Sequence, residues 1–368
     1  MFSKVTNHSR TKLIAYVLII IIIVCPLSYS ATKTCSLEPS KDLVDDPASQ
    51  THKYSRYRPE SGSLANSTLH VKDTVWYLSN SKNANPTWEN NCTVGDLLTN
   101  KYPIGLVGHD YFTFIGGMVV GEVPQHSERR PTYCNSAAVT VQKSTNTSIQ
   151  NIRIDGVWDA VRFERDASNF SLESSWISNV RDDCVENDQV KSGKIIDVLF
   201  DGCFVGISVA PGNIEKYTNL DVPAVVELDK VLMRMKAYPH RKSQDHLLEE
   251  THGYPFKGSK LNPSFIINNS VFALEVDSFE GLGRWTSVID NTIECNNNII
   301  LWMSNVKLPE YLNSFPSCYK VIIGERAISI WKQLKSNWIN CHSDIQRLDD
   351  DPVSDIDSCV SEIILSDL

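Results

Sequence analysis

The most charged stretch of the chain's repeating middle is Arg181-Asp182-Asp183-Cys184-Val185-Glu186-Asn187-Asp188. Asp159 lies 23 residues before Asp182, which is also the interval at which the surrounding sequence repeats. The two carboxylates are therefore expected to stack on adjacent passes of the chain. Like charges held that close cannot both ionise freely, so one carboxylic acid stays protonated beside an ionised base. Asp183 is a third candidate in the same neighbourhood. Glycosidic cleavage uses such a pair, separated by ~5 Å for retention or ~6.5–9.5 Å for inversion. Arg162 and Arg181 are expected near the acids, where a planar guanidinium pairs well with a substrate carboxylate. The acids also read as Ca²⁺ ligands, because hard cations take several oxygen ligands. The sequence requires no cofactor, and it contains no D-x-D-x-D-G loop. Against a working site stands a plainer reading: Arg181 with Asp182 and Arg162 with Glu164 as surface ion pairs worth about 0–1 kcal/mol, and Asp and Asn as turn residues.

The repeat that must position these groups shows in Ile154-Asp155-Gly156-Val157, Ile177-Ser178-Asn179-Val180 and Phe200-Asp201-Gly202-Cys203, whose first members step by 23 residues. Short β-branched runs are broken by Asn, Asp, Gly or Ser, leaving no room for ten-residue helices. One such coil cannot bury its own apolar face and must stack on its neighbours, ~4.8 Å away. Equal spacing makes columns. Val157, Val180 and Cys203 form one, and Val161, Cys184 and Ile207 another, both read as facing inward. Cys184 and Cys203 are accordingly expected to be small buried hydrophobes.

The fold class expected is all-β: a right-handed parallel β-helix, or solenoid, over 104–323. Residues 31–103 are expected to form an irregular N-terminal cap with Trp76, Tyr77 and Trp88 as packing anchors. The polar stretch 239–263 is expected to leave the helix as a long excursion. Of the exposed-looking histidines His126, His240, His246 and His252, one carried on that loop could reach the acids. Ile328, Trp331, Leu334 and Trp338 recur at three- and four-residue steps, so 325–340 reads as an amphipathic helix capping the last coil, within a C-terminal region 324–368 that ends in an acidic tail.

These residues resemble the polygalacturonase-like glycoside hydrolases, parallel β-helices acting on pectin. Asp182-Asp183-Cys184-Val185 is similar to their G-D-D-C-[VI] segment, with Arg181 in place of the glycine. Asp159 falls where the family has the aspartate of N-T-D, with Val157-Trp158 before it. Where the family has G-H-G, this chain has Val205-Gly206-Ile207-Ser208, so the family histidine is missing. Arg234-Met235-Lys236 is similar to the R-I-K triplet, and the resemblance implies that Arg234 and Lys236 contact an anionic sugar. Exported bacterial β-helix proteins that share R-D-D-C-[IV]-E-N-D followed by D-G-C-F-x-G-I-S resemble 181–188 and 201–208 more closely, and imply fold rather than activity.

The 368 residues, 42% apolar and 21% charged, are ordinary for a globular chain, and a net charge of −9 with no Lys/Arg run argues against a nucleic-acid partner. Lys4, Arg10 and Lys12, the apolar run 13–24 and Ser28-x-Ser30 read as a secretory signal peptide over 1–30, with a single-pass anchor as the alternative. A membrane is a partner only if that segment is retained. Cys35, Cys92, Cys134, Cys295, Cys318, Cys341 and Cys359 lie outside the three aligned segments and could pair in an oxidising compartment. No C-x-x-C, G-x-S-x-G, Walker or dinucleotide fingerprint occurs. The expectation is an exported carbohydrate-active β-helix protein, secreted, periplasmic or at the cell surface. It would act on an acidic polysaccharide as a hydrolase or lyase; the alternative is a non-catalytic protein that binds a glycan or serves as surface structure.

Overall fold

Short apolar runs broken by turn residues favour strands over helices, and each pass of this chain lays strands onto growing parallel sheets. The structure, a computed structural model, describes residues 41–43, 51–53, 57–78, 102–123, 125, 137–211, 223–241, 248–259, 261–276 and 283–351. Among the described residues the strands form a nine-stranded sheet, a fourteen-stranded sheet and a two-stranded ribbon. In the nine-stranded sheet the strand order follows chain order, through Ser148–Gln150, Phe170–Glu173, Gly193–Ile196, Val225–Asp229 and Ser264–Asn268. The larger sheet runs alongside through Arg153–Asp155, Trp176–Glu186, Leu199–Ser208, Leu232–Met235 and Val271–Leu274. A further row joins it, built from Ile104–Val107, Val139–Gln142, Val161–Glu164, the far halves of the two long strands, and Phe256–Lys257. This mostly parallel, helix-poor architecture is compatible with a parallel β-helix.

Register stacks like on like. Ile149, Leu172, Ile195, Leu228 and Ile267 are paired in succession and fully buried. Each contributes about 1.5–3 kcal/mol of burial. The expected Val180–Cys203 pairing is present. The expected column of Val161, Cys184 and Ile207 is not: Val161 and Ile207 both face Val185. Between the two sheets Asn151, Ser174, Asp197, Asn269 and Asn297 take φ between 43° and 54°, a left-handed corner that short polar side chains tolerate best.

Four expectations are revised. The stack begins before residue 104, because Ser67–His70 and Val75–Tyr77 already pair with Thr113–Ile115 and Met118–Val120. Trp76 is fully buried there; Trp88 lies outside the described residues. The 239–263 stretch is not all excursion: Tyr238–Arg241 and Leu248–Thr251 make an antiparallel ribbon, and Phe256–Lys257 rejoins the stack. The helix Glu325–Cys341 lies along the outer face of the larger sheet rather than over its end. Its Ala327, Ile330, Trp331, Leu334 and Trp338 pack with Trp176, Leu199, Leu232, Val271 and Ile299. Those five sheet residues form an outward apolar column, which needs a covering layer. Finally, Cys184 and Cys203 are buried but bonded to each other as a disulfide; Cys295 and Cys318 form a second, and Cys341 is also disulfide-bonded. The proposed leader or anchor lies outside the described residues. Among the described residues no helix is long and apolar enough to cross a membrane.

Candidate active site

Between matched partners the strand Trp176–Glu186 carries one residue more than the chain on either side of it. Ile177 faces Ile154 and Phe200, while Val185 faces Val161 and Ile207, an interval of eight residues in the middle strand and seven in each neighbour. The surplus is a β-bulge at Arg181-Asp182, whose N–H groups donate to the carbonyls of Val157 and Trp158 at 2.9 and 2.8 Å. Past the bulge the register has moved by one. Asp183 therefore joins Asp182 opposite Asp159: Asp182 N–H bonds the Trp158 carbonyl, Ala160 N–H donates to the Asp183 carbonyl at 3.1 Å, and Asp183 N–H donates to Asp159 Oδ1 at 3.2 Å. Asp182 keeps the 23-residue interval to Asp159, and the bulge adds Asp183 to the same place.

Asp159, Asp183 and Glu186 place carboxylate oxygens within 4.8 Å of one another, all three residues being buried. Burial pushes the Asp159 carboxyl up to about 7, and the charge of Asp182 adds to the effect. Asp183 and Glu186 are also raised well above the usual carboxylate range, first by burial. Two cations offset part of this charge. Arg162 Nη2 is 3.1 Å from Glu186 Oε1 and its Nε 3.5 Å from Glu164 Oε2, while its Nη1 donates to the Tyr102 hydroxyl at 3.0 Å. Lys257 Nζ stands 3.6 Å from Asp183 Oδ2. Asp183 Oδ1 is buried without a hydrogen-bond partner. Such a cluster must share protons, since three adjacent carboxylates cannot all be charged in a site this dry. It can hold a carboxylic acid beside a carboxylate, and the same oxygens are of the type that surround a hard cation.

The other expected contacts lie elsewhere. Arg181 is fully buried, with Nη2 donating to the Pro239 carbonyl at 2.5 Å and its guanidinium over the Phe204 and Tyr238 rings. Arg234 is paired with Asp201, at 3.2 Å, and with Glu275, and Lys335 of the covering helix holds the same Asp201. Lys236 Nζ donates to Asn179 Oδ1 at 3.2 Å. His252 is buried, its Nδ1 donating to the Gly253 carbonyl at 2.7 Å. His126 and His246 lie outside the described residues, as does the side chain of His240.

Sequence reasoning missed Glu186, Lys257 and Tyr102. Glu186 sat in the charged run itself and needed only the bulge to be aligned with Arg162, which it faces. Lys257 aligns with Ser208 across the excursion, an interval that no repeat announces. No family model matches the chain, and no curated protein and no solved structure is significantly similar to it.

Proposed function

We propose that this is an exported right-handed parallel β-helix of the pectin-lyase-like kind that cleaves an acidic polysaccharide by carboxylate acid–base chemistry. The observation that carries the reading is the convergence of Asp159, Asp183 and Glu186 on one buried cluster, fed from separate passes of the chain. Asp159 would supply the proton to the leaving oxygen while a neighbouring carboxylate acts as base, a division of labour set by unequal pKa values. Arg162 and Lys257, already held against these acids, would receive a substrate carboxylate. Arg234 and Lys236 are not assigned to this site, because they pair away from the three acids, with Asp201, Glu275 and Asn179. Export is supported by the disulfides, which persist in oxidising compartments.

The same oxygens would hold Ca²⁺ as a cofactor. The test is product release from a panel of acidic and neutral polysaccharides by the wild type, Asp159→Asn and Asp183→Asn, with and without Ca²⁺. Release by the wild type that falls at least a hundredfold in both variants supports the reading, and unsaturated ends would mark a lyase. Retained binding without any release would establish instead a glycan-binding protein.

A further inference from the structure

We propose that His342 is a pH-sensitive latch: doubly protonated, its ring fastens the chain end 342–351 across the corners of the stack, and on losing a proton it lets that segment open. The inference is independent of the acid–base reading. Both ring nitrogens of His342 face acceptors. Nδ1 is 2.8 Å from the Trp338 carbonyl and Nε2 is 3.0 Å from Asp197 Oδ2, while Asp197 Oδ1 accepts from the Trp338 indole N–H at 2.8 Å. Burial opposes charge on Asp197, but His342 and that indole hold its carboxyl below the usual range, so it stays an acceptor. A neutral imidazole carries one N–H and can satisfy only one of its two acceptors, whereas imidazolium satisfies both. The cation also sits just past the last turn of the helix Glu325–Cys341, where positive charge is favoured.

The charged groups bearing on the ring are Asp197, at a corner between the two sheets, and Asp344 on its own segment, with Lys230 of the next corner acting on Asp197. Burial disfavours the imidazolium, yet the bonds to Asp197 and Trp338 and the charge of Asp344 raise its pKa above the ordinary 6.5. With a raised folded pKa, the fastening is complete below the unfolded value and is lost as pH rises through the folded one. Beyond the ring, Asp344 accepts from Asn151 at 2.8 Å, Asp351 accepts from Arg153 Nη2 at 2.8 Å, and Ile345 is buried in the same apolar cluster as the helix. The helix keeps Ala327, Ile330, Trp331 and Leu334 in that cluster whatever the charge on His342, so opening is confined to 342–351. It would uncover Arg153, whose guanidinium lies 4.2 Å from the Trp176 ring.

Nitrogen NMR of the ring tests the protonation. Both nitrogens should carry hydrogen at pH 5.5 with a midpoint above 6.5, and Asp197→Asn should bring the midpoint to 6.5 or lower; a wild-type midpoint already there would overturn the proposal. Amide hydrogen exchange, corrected for the intrinsic rate, tests the opening. Protection of Ile345 and Leu348, whose N–H groups bond the His342 carbonyl and the Asp351 carboxylate, should fall at least tenfold between pH 5.5 and 8.5, while that of Ile195 and Leu228 in the core holds. In His342→Gln the protection of Ile345 and Leu348 should be alike at both pH values. An unchanged wild-type protection, the same fall in His342→Gln, or a parallel fall in the core amides would each overturn the latch.

Discussion

Asp159 is one of three acids whose titration burial moves upward. Its carboxyl titrates at about 7 when folded and at about 3.9 when unfolded. Between those values the native state holds a proton that the unfolded chain has lost, so stability declines as pH rises through that window and levels off above about 7. Taken alone, a shift of about three units is worth on the order of 4 kcal/mol, shared in practice with Asp183 and Glu186. Asp159→Asn should flatten the decline and leave the protein more stable than wild type at pH 8, measured by urea unfolding at several pH values. Arg162 lowers the Asp159 midpoint, so Arg162→Gln should raise it further, by NMR titration; a downward move would contradict the assignment. The sequence made Asp159 and the 181–188 run legible as a carboxylate site. It could not place Glu186 opposite Arg162, because a constant interval of 23 cannot express a bulge, and it could not supply Lys257, whose place depends on how the chain returns after the ribbon.

The elements that hold the site are constrained in different ways. Removing the Cys184–Cys203 bond frees a loop with a sequence separation of 19 and should cost about 3 kcal/mol by chain entropy, read as a lower denaturant midpoint. The helix Glu325–Cys341 was legible as an amphipathic helix from its three- and four-residue steps. Its docking place was not, because the signal for it lay in the sheet. Trp176, Leu199, Leu232 and Val271 are apolar on the side away from the core, and only pairwise register reveals that they share a column. Trp331 is buried against that column, so Trp331→Ala should cost about 3–5 kcal/mol and leave the Asp159 midpoint unchanged. At the same junction Asp201 stays below the usual carboxylate range despite burial, because Lys335 and Arg234 hold it. Arg234→Met should therefore destabilise the protein without altering cleavage of any polysaccharide, the opposite of what the R-I-K resemblance implies.

Over the whole molecule, the proposed function depends on stacking. Tyr102, Asp159, Glu186 and Lys257 are far apart in sequence and meet only because successive passes pair in parallel, Ile104–Val107 through to Phe256–Lys257. Composition gave no hint of that meeting, whereas the repeat did, since equal intervals fix which residues share a column wherever no residue is inserted. Under the proposed function, Arg162 and Lys257, the two cations held against the acidic cluster, are the groups that would receive an anionic chain. All of this turns on whether the parallel stack couples those carboxyls as described. The most direct test is carboxyl-carbon NMR of the aspartates in the folded protein, titrated from pH 3 to 9 with Asp159→Asn for assignment. One aspartate, Asp159, should titrate near 7 and show a second inflection from its neighbours; an Asp159 midpoint near 4, the value of a solvated side chain, would mean that the acids are not brought together and would contradict the site.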